Sequence, residues 1–160
     1  MTIAAFTGSR PSKLAKFGGY NLQDPRYQVL RDEIKKRLIA HQTVRAISGM
    51  ALGIDQLAAQ VCIEVGIPFV AAIPCDGHEK IWPEHSQVEY HRLLNLSAEK
   101  VIVSPGPYAM WKLQARNCWM VDRADVLIAC WDYRKGGTAN CLQYASECEK
   151  KTDIIDYRLL

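Results

Sequence analysis

A chain of 160 residues is long enough to bury one sizeable core, and a single domain is its simplest reading. Its 49% hydrophobic and 23% charged content is that of an ordinary globular protein, and no apolar run approaches the ~18 residues that span a bilayer. The net charge of +3 admits an anionic small molecule but lacks the broad basic surface of a dedicated duplex binder.

In chain order, short β-rich runs alternate with amphipathic ones. TIAAF (2–6) is a first strand, and Pro25 to His41 carries Tyr27, Leu30, Ile34 and Leu38 at helical spacing behind a proline suited to a helix start. TVRAI (43–47) is a second strand. From Ile54, the residues Leu57, Ala58, Val61, Cys62 and Val65 make one apolar helical face, which Gly66 ends. IPFVAAIP (67–74) is a third strand, Glu84 to Leu94 a helix, KVIVS (100–104) a fourth strand, and Tyr108 to Arg123 a helix. DVLIACW (125–131) reads as a fully buried fifth strand, Thr138 to Lys150 as the last helix, and TDIIDY (152–157) as an edge strand. This alternation predicts an α/β fold, a three-layer Rossmann-like sandwich with a mainly parallel sheet.

The opening MTIAAFTGSRP has no basic segment ahead of its short apolar stretch, so no signal peptide and a cytoplasmic location are expected. Cys62, Cys75, Cys118, Cys130, Cys141 and Cys148 include no CxxC pair and read as small buried hydrophobes, with no zinc site expected.

The glycines carry the functional signal through their positions. TGSR (7–10) follows the first strand, SGMALG (48–53) follows the second and opens a helix, and KGGT (135–138) follows the fifth and opens another. In open parallel sheets the ligand crevice lies outside the carboxyl ends of the strands. Glycines there let backbone approach a ligand, and free amides at a helix start favour phosphate. No GxxxxGK[ST] occurs, so NTP hydrolysis is not indicated.

FTGSRPSKL, SGMALGIDQLAA, QARNCWMVDRADVLIACWD and KGGTANCLQYA span nearly the whole chain in this order. Together they resemble the SLOG superfamily, the Rossmann-like group of the DprA/Smf and LOG proteins, and within it the YpsA-like family of small bacterial and phage proteins. The resemblance implies one SLOG-like domain over 1–160, with strands one, four and five side by side at the centre and possible self-association. It also implies a nucleotide-like ligand, such as an ADP-ribose-type molecule, held by a sensor or sequestering module. The residues expected to bind it are Gly8, Ser9, Arg10, Ser48, Gly49, Met50, Gly53, Asp55, Arg116, Asp132, Gly136, Gly137 and Thr138. Asp55, in a first helical turn, either complements the helix dipole or serves the ligand by meeting a ribose hydroxyl or ordering the loop.

LOG enzymes cleave the N-glycosidic bond of nucleoside monophosphates with an Arg and a Glu, the latter in PGGxGTxxE. Arg116 falls where that Arg would stand, but Cys141 falls where the Glu would, and Glu147 lies two turns along the same helix. A LOG-like N-glycosidase is thus the alternative to simple binding. DprA-like binding of single-stranded DNA is a second, which the small net charge and lack of a basic stripe disfavour. No cofactor, no metal and no membrane partner are expected. The segment DGHEKIWPEH (76–85) reads as a lid in which Trp82 stacks on a base or packs on the core, and Trp131 with Tyr133 could bracket a base. Trp111 and Trp119 read as core or dimer contacts.

Overall fold

A computed structural model describes all residues 1–160. Six strands form one sheet: β1 (Thr2–Gly8), β2 (Thr43–Ser48), β3 (Phe69–Ile73), β4 (Glu99–Ile102), β5 (Val126–Trp131) and β6 (Lys151–Asp156). Every neighbouring pair is parallel, in the order β4-β3-β2-β1-β5-β6. Five helices connect them: α1 (Gln28–Ala40), α2 (Ile54–Val65), α3 (Glu84–Leu96), α4 (Met110–Arg123) and α5 (Gly137–Glu147). The expected α/β three-layer sandwich is the fold. No helix is long and apolar enough to cross a membrane.

A strand buried on both faces must be apolar at every position. That is the reading of Ala4, Ala5 and Phe6 in β1 and of Val126 to Cys130 in β5, all buried, with Phe6 in register with Ile128. Helices α1, α2 and α3 cover one face, and α4 and α5 cover the other. The first face holds the larger core, of 26 residues, and the second a core of 10, so α4 and α5 sit on the thinner cushion. Helix α2 is the most buried: Ala58 and Ala59 are fully inaccessible, which lets it press onto β1, and Gly66 closes it in the left-handed conformation at φ 77°.

One expectation fails. The fourth strand does not lie beside the first and fifth; β4 pairs only with β3, at the sheet edge. Glu99, Lys100 and Ile102 are exposed there, and Glu99 meets Arg45 at 3.1 Å. A strand with solvated charges cannot take a central position covered by helices on both faces. The chain therefore builds outward from β1 to β4 on one side, and α4 carries it back to begin β5 on the other side of β1. This puts the reversal of strand order between β1 and β5.

The cysteines also divide. Cys62, Cys75, Cys130 and Cys141 are buried as expected, but Cys118 is only half-buried on α4, and Cys148 is exposed just past the end of α5, where the chain turns toward solvent.

Candidate functional site

The loops leaving β1, β2 and β5 meet beyond the carboxyl end of the sheet, at the point of strand reversal, and enclose a cleft of about 300 Å³. Arg10, Lys13, Arg116, Arg134 and Lys135 line it, against one carboxylate, Asp55. Only Arg134 has a carboxylate partner among the five, Asp132 at 3.7 Å.

Arg116 is the unusual member. It is 3% exposed, held by a hydrogen bond from Nη1 to the Gly49 carbonyl and one from Nε to Asn117 Oδ1 at 2.9 Å. It forms no ion pair, and Nη2 has no protein partner. Burial pushes its pKa below the ordinary arginine value, opposed by the field of Asp55. A desolvated guanidinium without a counter-ion is costly unless an anion joins it. Asp55 is 7% exposed and accepts the Ala51 amide at 3.2 Å. Burial raises its pKa above the usual carboxylate range, and Arg116 and Arg10 pull it back. Asp55 therefore orders its loop.

The loop after β5 is built differently. Gly136 caps α5 with no side-chain hydrogen bond, and Gly136 and Gly137 are exposed. A Cβ added at either would meet nothing within 4 Å. Thr138 is half-buried at the same helix start. The first-turn amides of α5 thus open onto a basic cleft, an arrangement suited to phosphate.

Of the residues expected to bind ligand, Gly8, Ser9, Arg10, Asp55, Arg116, Gly136, Gly137 and Thr138 line the cleft together. Ser9 contributes backbone, since its hydroxyl is bonded to the Tyr157 hydroxyl at 2.8 Å. Ser48, Gly49, Met50, Gly53 and Asp132 stand behind the wall. Ser48 Oγ donates to the Asp55 carbonyl at 2.8 Å and accepts the Met50 amide at 3.2 Å. Met50 is fully buried in the larger core despite a φ of 59°. Gly49 gives its carbonyl to Arg116, and Gly53 (φ 92°) packs so closely that a Cβ would sit 2.5 Å from the Ser9 carbonyl oxygen. Asp132 accepts the Arg134 amide at 3.0 Å and holds the β5–α5 loop.

Sequence reading missed Ser12, Lys13, Leu113, Asn117 and Arg134. The helical spacing of Leu113 and Asn117 around Arg116 could have found two of them, since offsets of three and one share a broad helix face.

A second cavity, of about 280 Å³, adjoins the first through Arg10, Ala51, Leu113 and Arg116. Its other walls are Pro74, Gly77, His78, Ile81, Trp82 and Tyr108. Trp82 also packs on the core, edge-on to His78 and Tyr90. Trp131 reaches the first cavity and stacks on Tyr133 at 4.5 Å. Trp119 packs on the smaller core, whereas Trp111 is exposed. No group of three or more His, Cys, Asp or Glu side chains is gathered to hold a metal ion.

The position of the LOG glutamate has no counterpart in the cleft. Cys141 is buried in the smaller core with its thiol pKa pushed up to about 12 by burial, and Glu147 is on the surface near Gln143 and Tyr144.

The model of the YpsA family, described as the YspA SLOG family, matches residues 4–160. An uncharacterized SPbeta prophage-derived protein, YoqJ of Bacillus subtilis (strain 168), is 30% identical over 147 residues, 79% of this chain and 85% of its own. Among solved structures, DNA processing protein A from Helicobacter pylori, described in a single-stranded DNA binding mode, superposes with TM-score 0.64 at 19% identity. This chain is covered to 95% and spans 64% of that longer protein. TM1055 gives 0.59 at 18% identity, over 95% of this chain and 72% of its own. The molybdenum cofactor carrier protein of Chlamydomonas reinhardtii gives 0.56 at 17%, over 95% and 74%. These three likenesses are of fold.

Proposed function

Since the chain belongs to the YpsA family of SLOG proteins, we propose that it binds a phosphate-bearing nucleotide or nucleotide-derived ligand, of ADP-ribose type, at the carboxyl ends of its parallel strands. The observation that carries this reading is Arg116, a buried guanidinium with no counter-ion facing a cleft that opens on the bare start of α5. A phosphate between them satisfies both, taking Nη2 on one side and the Gly137 and Thr138 amides on the other, with Arg10 and Lys13 at the mouth.

Binding is favoured over N-glycoside hydrolysis by the state of the one carboxylate lining the cleft. Asp55 is engaged with the Ala51 amide, and Cys141 offers no replacement for the missing glutamate. The reading is that of a sensor or sequestering module. A thermal-shift series with AMP, ADP and ADP-ribose tests it, because ligand at 100 Kd adds about 2.7 kcal/mol of stability. A rise in melting temperature that saturates with one of them supports the proposal, and no rise at millimolar ligand overturns it. Free base released from a nucleoside monophosphate, and lost in Arg116→Ala, would replace binding by hydrolysis. Binding only to oligonucleotides, weakening steeply with salt, would replace it by single-stranded DNA recognition.

A further inference from the structure

Ordering its loop uses only half of the Asp55 carboxylate. The residue lies buried in the first turn of α2, where its Oδ2 accepts the Ala51 amide at 3.2 Å and its Oδ1 accepts from no group of the protein. The side-chain atoms that are both sealed from solvent and unpartnered are Thr43 Oγ1, Gln60 Oε1 and the two ring nitrogens of His78. Asp55 Oδ1 is not among them, so it keeps accessible surface, and the cleft is the cavity that Asp55 lines. Arg116 Nη2 is in the same state, unpartnered yet unsealed on a buried residue of the same cleft. Arg116 and Arg10 are the cations whose fields reach Asp55, but neither forms an ion pair with it.

The cleft therefore holds two unsatisfied groups of opposite need, a guanidinium nitrogen that only donates and a carboxylate oxygen that only accepts. A ligand phosphate answers the first and repels the second, because a phosphate monoester at pH 7 carries a charge of about −1.5 to −2. With water displaced by that ligand, an unmet Oδ1 costs free energy unless the ligand brings a donor of its own. Resting on the phosphate reading, we propose that Asp55 selects the sugar: its Oδ1 accepts a hydroxyl of the ribose whose phosphate Arg116 holds. The donor has to lie close to the phosphate, because Asp55 sits in the fields of the two arginines that face the anion. In a nucleotide the ribose hydroxyls meet that condition, and the base, set beyond the sugar, does not. Oδ2 stays on the Ala51 amide, so the loop aims the carboxylate and recognition needs no movement of it. The site is thereby specific for a ribonucleotide-like phosphate over its deoxy counterpart.

Calorimetric titration with AMP and with 2′,3′-dideoxy-AMP tests this, since the two share phosphate and base and differ only in the hydroxyls. AMP should bind wild type about tenfold or more tighter, as one hydrogen bond to a charged group implies. Asp55→Asn leaves a carbonyl oxygen for the Ala51 amide and turns an amide donor toward the cleft. It should bring the ratio below about threefold. It should also bind 2′,3′-dideoxy-AMP at least as tightly as wild type does, because a negative charge beside the phosphate is gone. A merely structural Asp55 would weaken both nucleotides alike, and that result overturns the proposal. Equal binding of the two by wild type overturns it too, as does a ratio preserved in Asp55→Asn. No binding of either nucleotide overturns the phosphate reading as well. If Asp55→Asn does not fold, carboxyl-carbon NMR of the wild type decides. The Asp55 resonance should move further with AMP than with 2′,3′-dideoxy-AMP, and equal movement overturns the proposal.

Discussion

The loops after β2 and β5 share a signature: a buried strand, small residues with two glycines, then a helix. The protein has closed one and left the other open. After β2, Ser48, Asp55, Arg116 and the Ser9 carbonyl pack against the loop, and the glycines give room for these protein atoms. After β5, nothing lies within 4 Å of where side chains at Gly136 and Gly137 would begin. A glycine after a strand can therefore serve packing or access, and what decides is the group across from it. The two roles are also coupled, because the Gly49 carbonyl in the closed loop is what aims Arg116 into the cleft beside the open one.

Substitutions break the comparison in graded ways. Gly53→Val should have the largest effect on the fold, a loss of about 3 kcal/mol or more, from the 2.5 Å clash with the Ser9 carbonyl and a φ of 92°. Urea denaturation measures it, and a loss below about 1 kcal/mol would contradict the closed-loop account. Gly137→Val should do the reverse, with stability within about 1 kcal/mol of wild type and nucleotide affinity reduced ~100-fold or more, about 2.7 kcal/mol, because the side chain fills the approach to the α5 amides. Circular dichroism paired with calorimetry reads both quantities.

Gly49→Ala falls between them. Its Cβ would lie 2.9 Å from the Arg116 guanidinium, which must shift, so about tenfold of affinity and about 1 kcal/mol of stability should go together. Thr138→Ala should be the mildest for the fold, with an unchanged melting temperature, while the loss of one hydrogen bond to a charged group weakens binding by roughly 1–3 kcal/mol. Equal stability losses in Gly53→Val and Gly137→Val would erase the distinction between the loops.

Much of this was legible in the residues. Strand and helix alternation gave the sandwich, since Val126 to Cys130 can only be a strand buried on both faces and α2 can only be a packed helix. The place of β4 was not legible: the resemblance put it at the centre, and the solvated Glu99 and Lys100 that hold it at the edge fell at or outside the start of the expected strand. In the site, the three glycine loops, Arg10 and Arg116 stood out by position. The roles of Ser48, Gly49, Met50 and Gly53 did not, because sequence cannot tell that the atoms facing Gly49 and Gly53 come from the distant Arg116 and Ser9. Arg134 sits in none of the quoted motifs, and Lys13, near the end of FTGSRPSKL, stands apart from its neighbours only through the cleft it lines.

The central claim is that the open loop takes the ligand's phosphate and the closed one does not. Backbone amide NMR during titration with ADP-ribose tests it directly. The account predicts large, saturable shifts at Gly137, Thr138 and Ala139, with smaller ones through Met50 to Gly53, where the Met50 and Ala51 amides are already bonded to the Ser48 and Asp55 side chains. Saturable shifts confined to Met50 through Gly53, or amides at Gly137 to Ala139 that stay still while ligand binds, would contradict it.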